Sequence, residues 1–393
     1  MNSGTGAIII EGHIQGLSNT RSLGEAGIPV YIVDSSDCIA RYSKYCKKYF
    51  RCQQYHKDEF ADFLIDLSTK EKLRNWVLFP SNDHAVYTIS KHKKRLEKHY
   101  NVITPGLGII QSIYDKSKLL EIAQGAGIPI PNTCYLHTID NKLPAGFKFP
   151  VLTKGHFGLD FYKTLGKKVF VAKNESQLKD QLKDIDSRYG INKTMTQEVI
   201  RTSATNKTIS FAAFCINGEI KTYWMGIKVR EHPIQFGTAT FAKSMFQEQC
   251  LKHSQTLLKA LDYSGVCEIE YLYEDSTQEY KLIEINARTW LWVGLAKTCG
   301  IDFALYIYNY FCTGDKVYPE DYLKNVYWIN RLTDSVFSCK AILKGVLPFG
   351  AYLASLKEKK VPAIYASSDL MPAIISPFLI VLRGFRILAN RFK

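Results

Sequence analysis

One stretch, Tyr280–Arg288 (YKLIEINAR), limits what this chain can fold into more than any other. Its apolar and β-branched residues predict a β-strand. Because successive side chains of a strand point to opposite faces, Glu284, Asn286 and Arg288 would share one face at spacings of about 7 Å. A carboxylate, an amide and a guanidinium group therefore line one side of the predicted sheet.

A second strand precedes this stretch at Gly265–Tyr273, and the turn-forming residues Glu274–Glu279 join the two into a predicted antiparallel hairpin. The hairpin would bring Glu270 beside Glu284 and Asn286. Carboxylate and amide oxygens are hard ligands, which Mg²⁺ takes while it keeps water and phosphate oxygens in its shell. Taken alone, the hairpin fits equally well a solvated polar face on a half-buried strand.

Composition narrows the class of partner. The 393 residues suffice for two or three domains, and 46% hydrophobic with 22% charged residues is typical of a globular protein with a core. The net charge of +14 indicates an anionic partner: nucleotide phosphate, nucleic acid, an acidic substrate or an anionic membrane. The Lys and Arg residues are scattered rather than clustered, so we expect no nucleic-acid partner.

Cysteine usage and the N-terminus indicate a cytoplasmic protein. The ten Cys residues form no C-x-x-C pair and no zinc-like spacing with His, which is typical of reduced thiols in the cytosol. The apolar run Ala7–Ile10 is followed at once by Glu11, so we predict no signal peptide.

The first hundred residues predict a parallel α/β unit. A strand at Ala7–Ile10, a helix through Leu23 and a strand at Val30–Asp34 form a β-α-β pattern that resembles the start of a Rossmann-like domain. The dinucleotide fingerprint G-x-G-x-x-G is missing, which argues against NAD. A helix near 59–68 and a strand at Trp76–Pro80 continue the unit.

Polar residues follow two of these strands. Asp34 and Asp83 lie at predicted carboxyl ends, where open α/β sheets bind ligands, so both are candidate substrate residues. The alternative is that they serve only as turn and cap residues.

The middle of the chain predicts a phosphate-binding region. A helix at Tyr114–Ala126 carries Lys116 in its first turn, and a strand at Phe149–Lys154 ends in a lysine. The basic, glycine-bearing residues Gly155–Lys168 predict a mobile loop, which suits polyphosphate because lysine is a point charge and glycine lets the backbone approach oxygens. An ordinary exposed hairpin is the alternative.

The second half adds strands at 195–200 and 209–216 and a helix at 246–261. The positively charged, threonine-rich segment Lys228–Phe241 contains Arg230 and predicts a rim for a carboxylate substrate. Trp290 and Trp292, just beyond Arg288, are further candidates for the substrate pocket.

The tail differs in character. Leu370–Leu382 is almost wholly apolar, and four cations follow it: Arg383, Arg386, Arg391 and Lys393. These 13 residues are too few to span a bilayer. Residues 361–393 could instead lie in a membrane interface, or form a C-terminal helix packed on the body.

Taken in chain order, these features resemble the ATP-grasp superfamily, as in carbamoyl-phosphate synthetase and biotin carboxylase. The order is Lys116 on a helix, Lys154 on a strand, the glycine-bearing loop, the strand Gln197–Ile200, Glu270, and Glu284-x-Asn286-x-Arg288. The segments Gly16–Gly24 and Arg41–Tyr45 look closest to the D-aspartate-ligase-like branch. The resemblance covers residues 5–315 and rests most on the Glu-x-Asn-x-Arg strand.

The resemblance implies an α/β and α+β architecture: a Rossmann-like domain at 1–105, an ATP-grasp domain at 106–315 and a C-terminal extension at 316–393. Within the ATP-grasp domain, residues 106–200 would form the subdomain with the phosphate loop and residues 201–315 the subdomain with the metal site.

The resemblance also implies the ligand contacts. ATP would be held between the two subdomains by Lys116, Lys154, Lys168, Glu198, Val199, Ile200 and Asn206. One or two Mg²⁺ ions, with Mn²⁺ as a substitute, would be held by Glu270, Glu284 and Asn286. Arg288 and Lys154 would act in catalysis. The loop at 155–168 departs from the family pattern because it contains few glycines.

The implied activity is an ATP-dependent carboxylate–amine ligase that forms an amide through an acyl phosphate and releases ADP. Its partners would be small-molecule acids and amines, and a homo-oligomer is compatible with the chain. Two other interpretations stay open: a nucleotide-binding module without ligase activity, and an assembly protein of envelope or polysaccharide biosynthesis at the inner face of the membrane.

Overall fold

A computed structural model describes residues 4–201, 208–232, 237–319 and 321–391, of which 383–391 are described by their backbone alone. The described residues form three sheets of five, four and seven strands, with helices against them. The predicted mixture of α/β and α+β structure is confirmed.

The first sheet is parallel, with strand order β3-β2-β1-β4-β5. All four residues of its central strand are buried, which explains their unbroken apolar run because parallel strands are covered on both faces. The predicted β-α-β unit is confirmed. The elements are β1 Ala7–Ile10, α1 Ile14–Glu25, β2 Val30–Asp34, β3 Cys46–Arg51, α2 Glu59–Glu71, β4 Trp76–Pro80, α3 Asp83–Lys91, α4 Lys93–Leu96 and β5 Tyr100–Val102.

Two helices follow where the sequence predicts one. The helix predicted at Tyr114–Ala126 is wrong at its start: α5 is Leu107–Tyr114, and α6 is Lys116–Gly125. Asp115 separates them because its backbone is extended and its carboxylate caps α6, accepting a hydrogen bond from the Ser117 amide at 3.1 Å. Lys116 is therefore the first residue of its helix.

The second sheet is antiparallel, with order β6-β9-β7-β8. The elements are β6 Thr133–Cys134, β7 Val151–Gly155, α7 Gly158–Leu165, β8 Phe170–Ala172, α8 Glu175–Arg188 and β9 Thr194–Glu198. The loop predicted at 155–168 is wrong over most of its length, because α7 occupies it. Phe161 and Leu165 lie one turn apart on α7 and are buried, so they provide the apolar face that a helix needs.

The third sheet has order β14-β13-β10-β11-β12-β15-β16, and the predicted hairpin forms its β13–β14 edge. The elements are β10 Thr208–Ile216, β11 Glu219–His232, β12 Thr238–Ser244, α9 Glu248–Ala260, β13 Gly265–Glu274, β14 Glu279–Asn286, α10 Val293–Thr298, α11 Phe303–Cys312, β15 Tyr327–Ile329, α12 Arg331–Leu343, α13 Phe349–Leu356, β16 Lys360–Pro362 and α14 Met371–Arg391.

A single apolar core joins the first and third sheets, and buried tryptophans lie within it. Trp290 packs against Trp224 at 5.8 Å between ring centroids and against Phe303 at 5.4 Å. Trp290 is thus a core residue, contrary to its predicted place in a substrate pocket.

Asp369 ties the C-terminal extension to helix α1 and to the segment before β3. Its carboxylate accepts hydrogen bonds from Arg21 Nε at 2.9 Å and from the Ser43 hydroxyl at 2.7 Å. The apolar tail forms α14, which packs one face on the body. In the part of the chain that the structure describes, no helix has the length and apolar character to cross a membrane.

Candidate active site

A cavity of about 1900 Å³ is lined by side chains from all three sheets. Lys154 and Glu198 reach it from the second sheet, and Glu270 and Glu284 reach it from the third. Asp83 reaches it from the first turn of α3, which follows β4 of the first sheet. The cavity thus gathers charged groups of both signs from distant parts of the chain.

The acidic wall is built by the β13–β14 register. Glu270 lies directly opposite Glu284, and Glu268 lies directly opposite Asn286. The hairpin therefore brings Glu270, Glu284 and Asn286 close together, as predicted. Glu268 was missed by the sequence analysis, although strand alternation carries the signal: it lies two residues before Glu270 and faces the same way.

Lysines neutralise two of these carboxylates. Lys116 Nζ lies 2.6 Å from Glu284 Oε2, and Lys228 Nζ lies 2.8 Å from Glu270 Oε1. The Lys116 ammonium holds the pKa of Glu284 well below its usual range. The contact between Lys228 and Glu270 is not visible in the linear sequence, because Lys228 reaches Glu270 from β11 across the intervening strand β10.

Glu268 is the least satisfied carboxylate of the wall. It is 3% exposed; its Oε2 accepts a hydrogen bond from Asn286 Nδ2 at 3.1 Å, and its Oε1 has no hydrogen-bond partner among the described residues. Burial, with the neighbouring Glu270 carboxylate, raises the pKa of Glu268 to about 7. An unpaired buried carboxylate oxygen is costly, so a cation or donor at this point would stabilise the wall.

The donors of this wall fit Mg²⁺ in their chemistry. Glu268, Glu270 and Glu284 offer carboxylate oxygens and Asn286 offers an amide oxygen, which are the hard ligands of that ion. Across the described ranges, no three acidic, His or Cys side chains already converge as a metal cluster. The ammonium groups of Lys116 and Lys228 hold the carboxylates instead.

Lys154 faces the acidic wall from β7. Burial and the neighbouring Lys116 ammonium together lower the pKa of Lys154 to about 7, while the Glu284 carboxylate opposes the shift. A buried ammonium gains most from a bound anion. Lys116 and Lys154 therefore form a site suited to phosphate oxygens, and Lys168 lines the same cavity.

The cavity lining also includes Glu198, Val199 and Ile200, which the resemblance assigns to ATP. The Val199 amide already donates to Pro150 O at 3.0 Å, so the carbonyl is the polar backbone group that Val199 can offer a ligand. Apolar side chains not named by the sequence analysis line the same cavity: Leu152, Val169, Leu272 and Ile283. Asn206 lies outside the described residues.

Arg288 and Asp83 form a bidentate pair at the cavity wall. Arg288 Nε lies 2.8 Å from Asp83 Oδ1, and Arg288 Nη2 lies 3.1 Å from Asp83 Oδ2. The pair fixes the guanidinium plane beside Asn286, whose Oδ1 lies 3.4 Å from Nη2. Asp83 thus holds the arginine in place.

Arg230 does not reach the cavity. Its guanidinium forms an ion pair with buried Asp334, with Nη2 2.7 Å from Oδ2. Simple alternation would place Arg230 on the same face as Lys228, but the β11–β12 register shifts on both sides of Arg230, so Glu231 lines the cavity instead.

Asp34 also lies away from the cavity. Its carboxylate accepts hydrogen bonds from the Gly12 amide at 2.8 Å and from the Tyr55 hydroxyl at 2.9 Å. It is absent from the described residues that line the cavity. Its contacts match the alternative interpretation, in which it orders the turn after β2.

Comparisons with known proteins agree with this geometry. Residues 228–307 match the family described as "Carbamoyl-phosphate synthase L chain, ATP binding domain". A D-aspartate ligase from Enterococcus faecium is 21% identical over 329 residues, which cover 79% of this chain and 76% of the ligase.

Solved structures show the same fold. Biotin carboxylase from Campylobacter jejuni superposes with a TM-score of 0.64 at 17% identity, covering 82% of this chain and 74% of that one. N5-carboxyaminoimidazole synthetase from Staphylococcus aureus gives a TM-score of 0.61 at 15% identity, covering 82% and 81%. L-amino acid ligase from Bacillus licheniformis gives 0.59 at 14% identity, covering 79% and 75%.

The matched residues 228–307 include Lys228 and the β13–β14 hairpin. Three glutamates of that hairpin, Glu268, Glu270 and Glu284, form the acidic wall of the cavity. The relatives named above are two ligases, a synthetase and a carboxylase, and the three solved structures among them share their fold with this chain. The chain is therefore similar in sequence to an ATP-binding family over residues 228–307 and has the fold of these solved structures, in agreement with the predicted ATP-grasp resemblance.

Proposed function

We propose that this protein joins a small-molecule carboxylate to an amine, using ATP and releasing ADP and phosphate. One observation carries the proposal: Lys116 and Lys154 lie at the acidic wall formed by Glu268, Glu270 and Glu284, within one cavity. Cations for phosphate and carboxylates for a metal ion are the parts that phosphoryl transfer requires.

The residues of the cavity would position the reactants. Lys154 and Lys116 would bind phosphate oxygens, and Arg288 would orient the transferring group, since Asp83 fixes its plane. Bound by Glu270, Glu284 and Asn286, with Glu268 as a further donor, Mg²⁺ would neutralise charge on the phosphate oxygens. Mn²⁺ has similar ligand preferences and could replace it.

The chemistry needs no side-chain nucleophile. An oxygen of the substrate carboxylate would attack the γ-phosphorus, the bond from that phosphorus to the β–γ bridging oxygen would break, and ADP would leave. The amine nitrogen would then attack the acyl carbon of the acyl phosphate. The carbon–oxygen bond to phosphate would break, and the nitrogen would lose a proton to give the amide.

An acyl phosphate must be kept from water, and α7 is placed to help. Phe157, Leu159 and Tyr162 line the cavity and are each 43–54% exposed, so they present apolar surface to the space that the substrates would fill. Contact with bound nucleotide would bury them and exclude water.

The test is a phosphate-release screen over pairs of acids and amines with ATP and Mg²⁺. D-aspartate is the first amine to try, because a D-aspartate ligase is among the relatives. Sustained ADP release by a ligase of this kind requires both substrates, because the amine must consume the acyl phosphate before the next turnover. A protein that binds nucleotide but releases no ADP with any pair would be a binding module, and the proposal would be wrong.

A further inference from the structure

Helix α14 is buried on one face and apolar on the opposite, exposed face. Its inner face is buried at Pro372, Ser376 and Leu379. Its outer face carries five apolar side chains that are 48–65% exposed: Met371, Ile374, Phe378, Val381 and Leu382. The sequence places no charged residue between the first and last of these. A surface helix of a globular protein carries polar residues on its outer face, so this apolar face indicates a partner.

A second exposed apolar stripe lies on α13. None of its residues is fully buried, and Phe349, Leu353 and Leu356 repeat at one-turn spacings with exposures of 60%, 44% and 44%. The other side of this helix is anchored: Arg230 Nη1 donates to Ser355 Oγ at 2.9 Å. The contact holds the helix on the body while the stripe stays exposed.

The C-terminal region is strongly basic at its surface. Residues 331–393 contain ten Lys and Arg residues and three acidic ones. Two of those acids, Asp334 and Asp369, are buried in ion pairs with Arg230 and Arg21. Glu358 is thus the exposed acid of this region, against exposed cations that include Lys340, Lys344, Lys357 and Lys359.

Two partners could cover both stripes: a second copy of this chain or a lipid surface. The charge of the region distinguishes between them. In a symmetric dimer with a second copy, the same basic segments would face each other, and like charges would repel. An anionic lipid surface attracts the cations, and its interface takes up exposed apolar side chains. The combination of apolar and basic surface therefore favours lipid.

We infer that α13 and α14 dock this protein on the surface of an anionic lipid bilayer. The helices would lie in the interface, with their exposed apolar side chains toward the acyl chains. Ser376 and Leu379, on the inner face of α14, also line the active-site cavity. A bilayer on the outer face would lie about 10 Å away, the thickness of one helix. The inference stands apart from the proposed ligase activity.

Vesicle flotation of the full chain tests the inference. We expect binding to phosphatidylcholine vesicles that contain about 30% phosphatidylglycerol and none to pure phosphatidylcholine, because the cations need anionic lipid. Binding should weaken at about 0.5 M salt, since salt screens that attraction. The paired changes Ile374→Glu with Phe378→Glu, and Phe349→Glu with Leu353→Glu, should each reduce the bound fraction about tenfold.

The matched control is Val317→Glu with Leu323→Glu, which adds the same charge at residues that are 80% and 62% exposed outside these helices. It should float like the unchanged protein. Circular dichroism and ADP release with dissolved substrates report on folding and catalysis separately. Absence of binding to anionic vesicles, or binding that neither pair of changes reduces, would overturn the inference. So would sedimentation data in which these changes split a dimer while vesicle binding persists.

Discussion

Lys116 Nζ lies 2.6 Å from Glu284 Oε2, although 168 positions separate the two residues in the sequence. The contact joins the first turn of α6 to the acidic edge strand β14. The group that we propose for phosphate binding and the group that we propose as a metal ligand thus neutralise each other. Nucleotide and metal binding would have to separate them, and the first predictions concern this arrangement.

Glu284→Gln should abolish turnover without preventing nucleotide binding. The change removes a metal ligand and frees the Lys116 ammonium, so we expect ADP release to fall at least about 100-fold while metal-free ADP binds as tightly as before or more tightly. ADP-release kinetics and calorimetric titration measure the two effects. Glu248→Gln, on an exposed ion pair with Lys252, is the control and should change neither. Normal turnover by a folded Glu284→Gln protein would show that catalysis does not need Glu284 as a metal ligand.

Lys228→Met should destabilise the fold because it leaves Glu270 buried without its cation. Lys228 is 4% exposed, and breaking a buried pair from one side costs about 3 kcal/mol of unfolding free energy. The double change Lys228→Met with Glu270→Gln should recover part of that loss but restore no activity. Urea unfolding measures the stability of each variant.

The control for this series is Lys252→Met, which removes an exposed lysine from a pair with Glu248 and should leave the urea midpoint unchanged. If Lys228→Met were as stable as the unchanged protein, the buried pair would not hold the acidic wall together.

Asp83→Asn and Arg288→Lys should separate positioning from catalysis. Lysine cannot reproduce the bidentate contact, so Arg288→Lys should lower kcat about 100-fold. Asp83→Asn keeps the guanidinium but loosens its plane, so kcat should fall about tenfold with an unchanged KM for ATP. Steady-state kinetics give both values. Equal losses in the two variants would contradict a positioning role for Asp83.

Nucleotide binding should be linked to proton uptake by Lys154. Burial and the neighbouring Lys116 ammonium together lower the pKa of Lys154 to about 7. A bound anion favours the ammonium and raises that pKa, so a protein at pH 8 should take up a proton on binding ADP, and affinity should fall as pH rises above 7. Titration calorimetry in buffers of different ionisation enthalpy measures the uptake. Lys154→Met should abolish the proton uptake. An unchanged uptake in that variant would show that a group other than Lys154 takes up the proton.

Local pattern was enough to predict the hairpin and its acidic face. Alternation along β13 and β14 places Glu270, Glu284 and Asn286 on one side whatever the rest of the chain does. Lys116 and Lys154 were also identified, from helix and strand ends together with the family resemblance. The fold class followed from the same features.

The remaining features depend on contacts that a linear pattern does not contain. Lys228 contacts Glu270 because β10 lies between their strands, β11 and β13, in the sheet. The register shifts on both sides of Arg230 turn its side chain away from the cavity. The structure has helix α7 where the sequence predicts a loop, because Phe161 and Leu165 are buried on one face of that helix. The predicted domain limits at 105 and 315 stay predictions.

Substrate-dependent ADP release tests the central claim most directly. With ATP, Mg²⁺ and a matching acid and amine, the unchanged protein should release ADP, removal of either substrate or chelation of the metal should stop it, and Glu284→Gln should release none above background. ADP release that is independent of acid and amine, or equal in Glu284→Gln, would contradict the account of this cavity as the active site of a ligase.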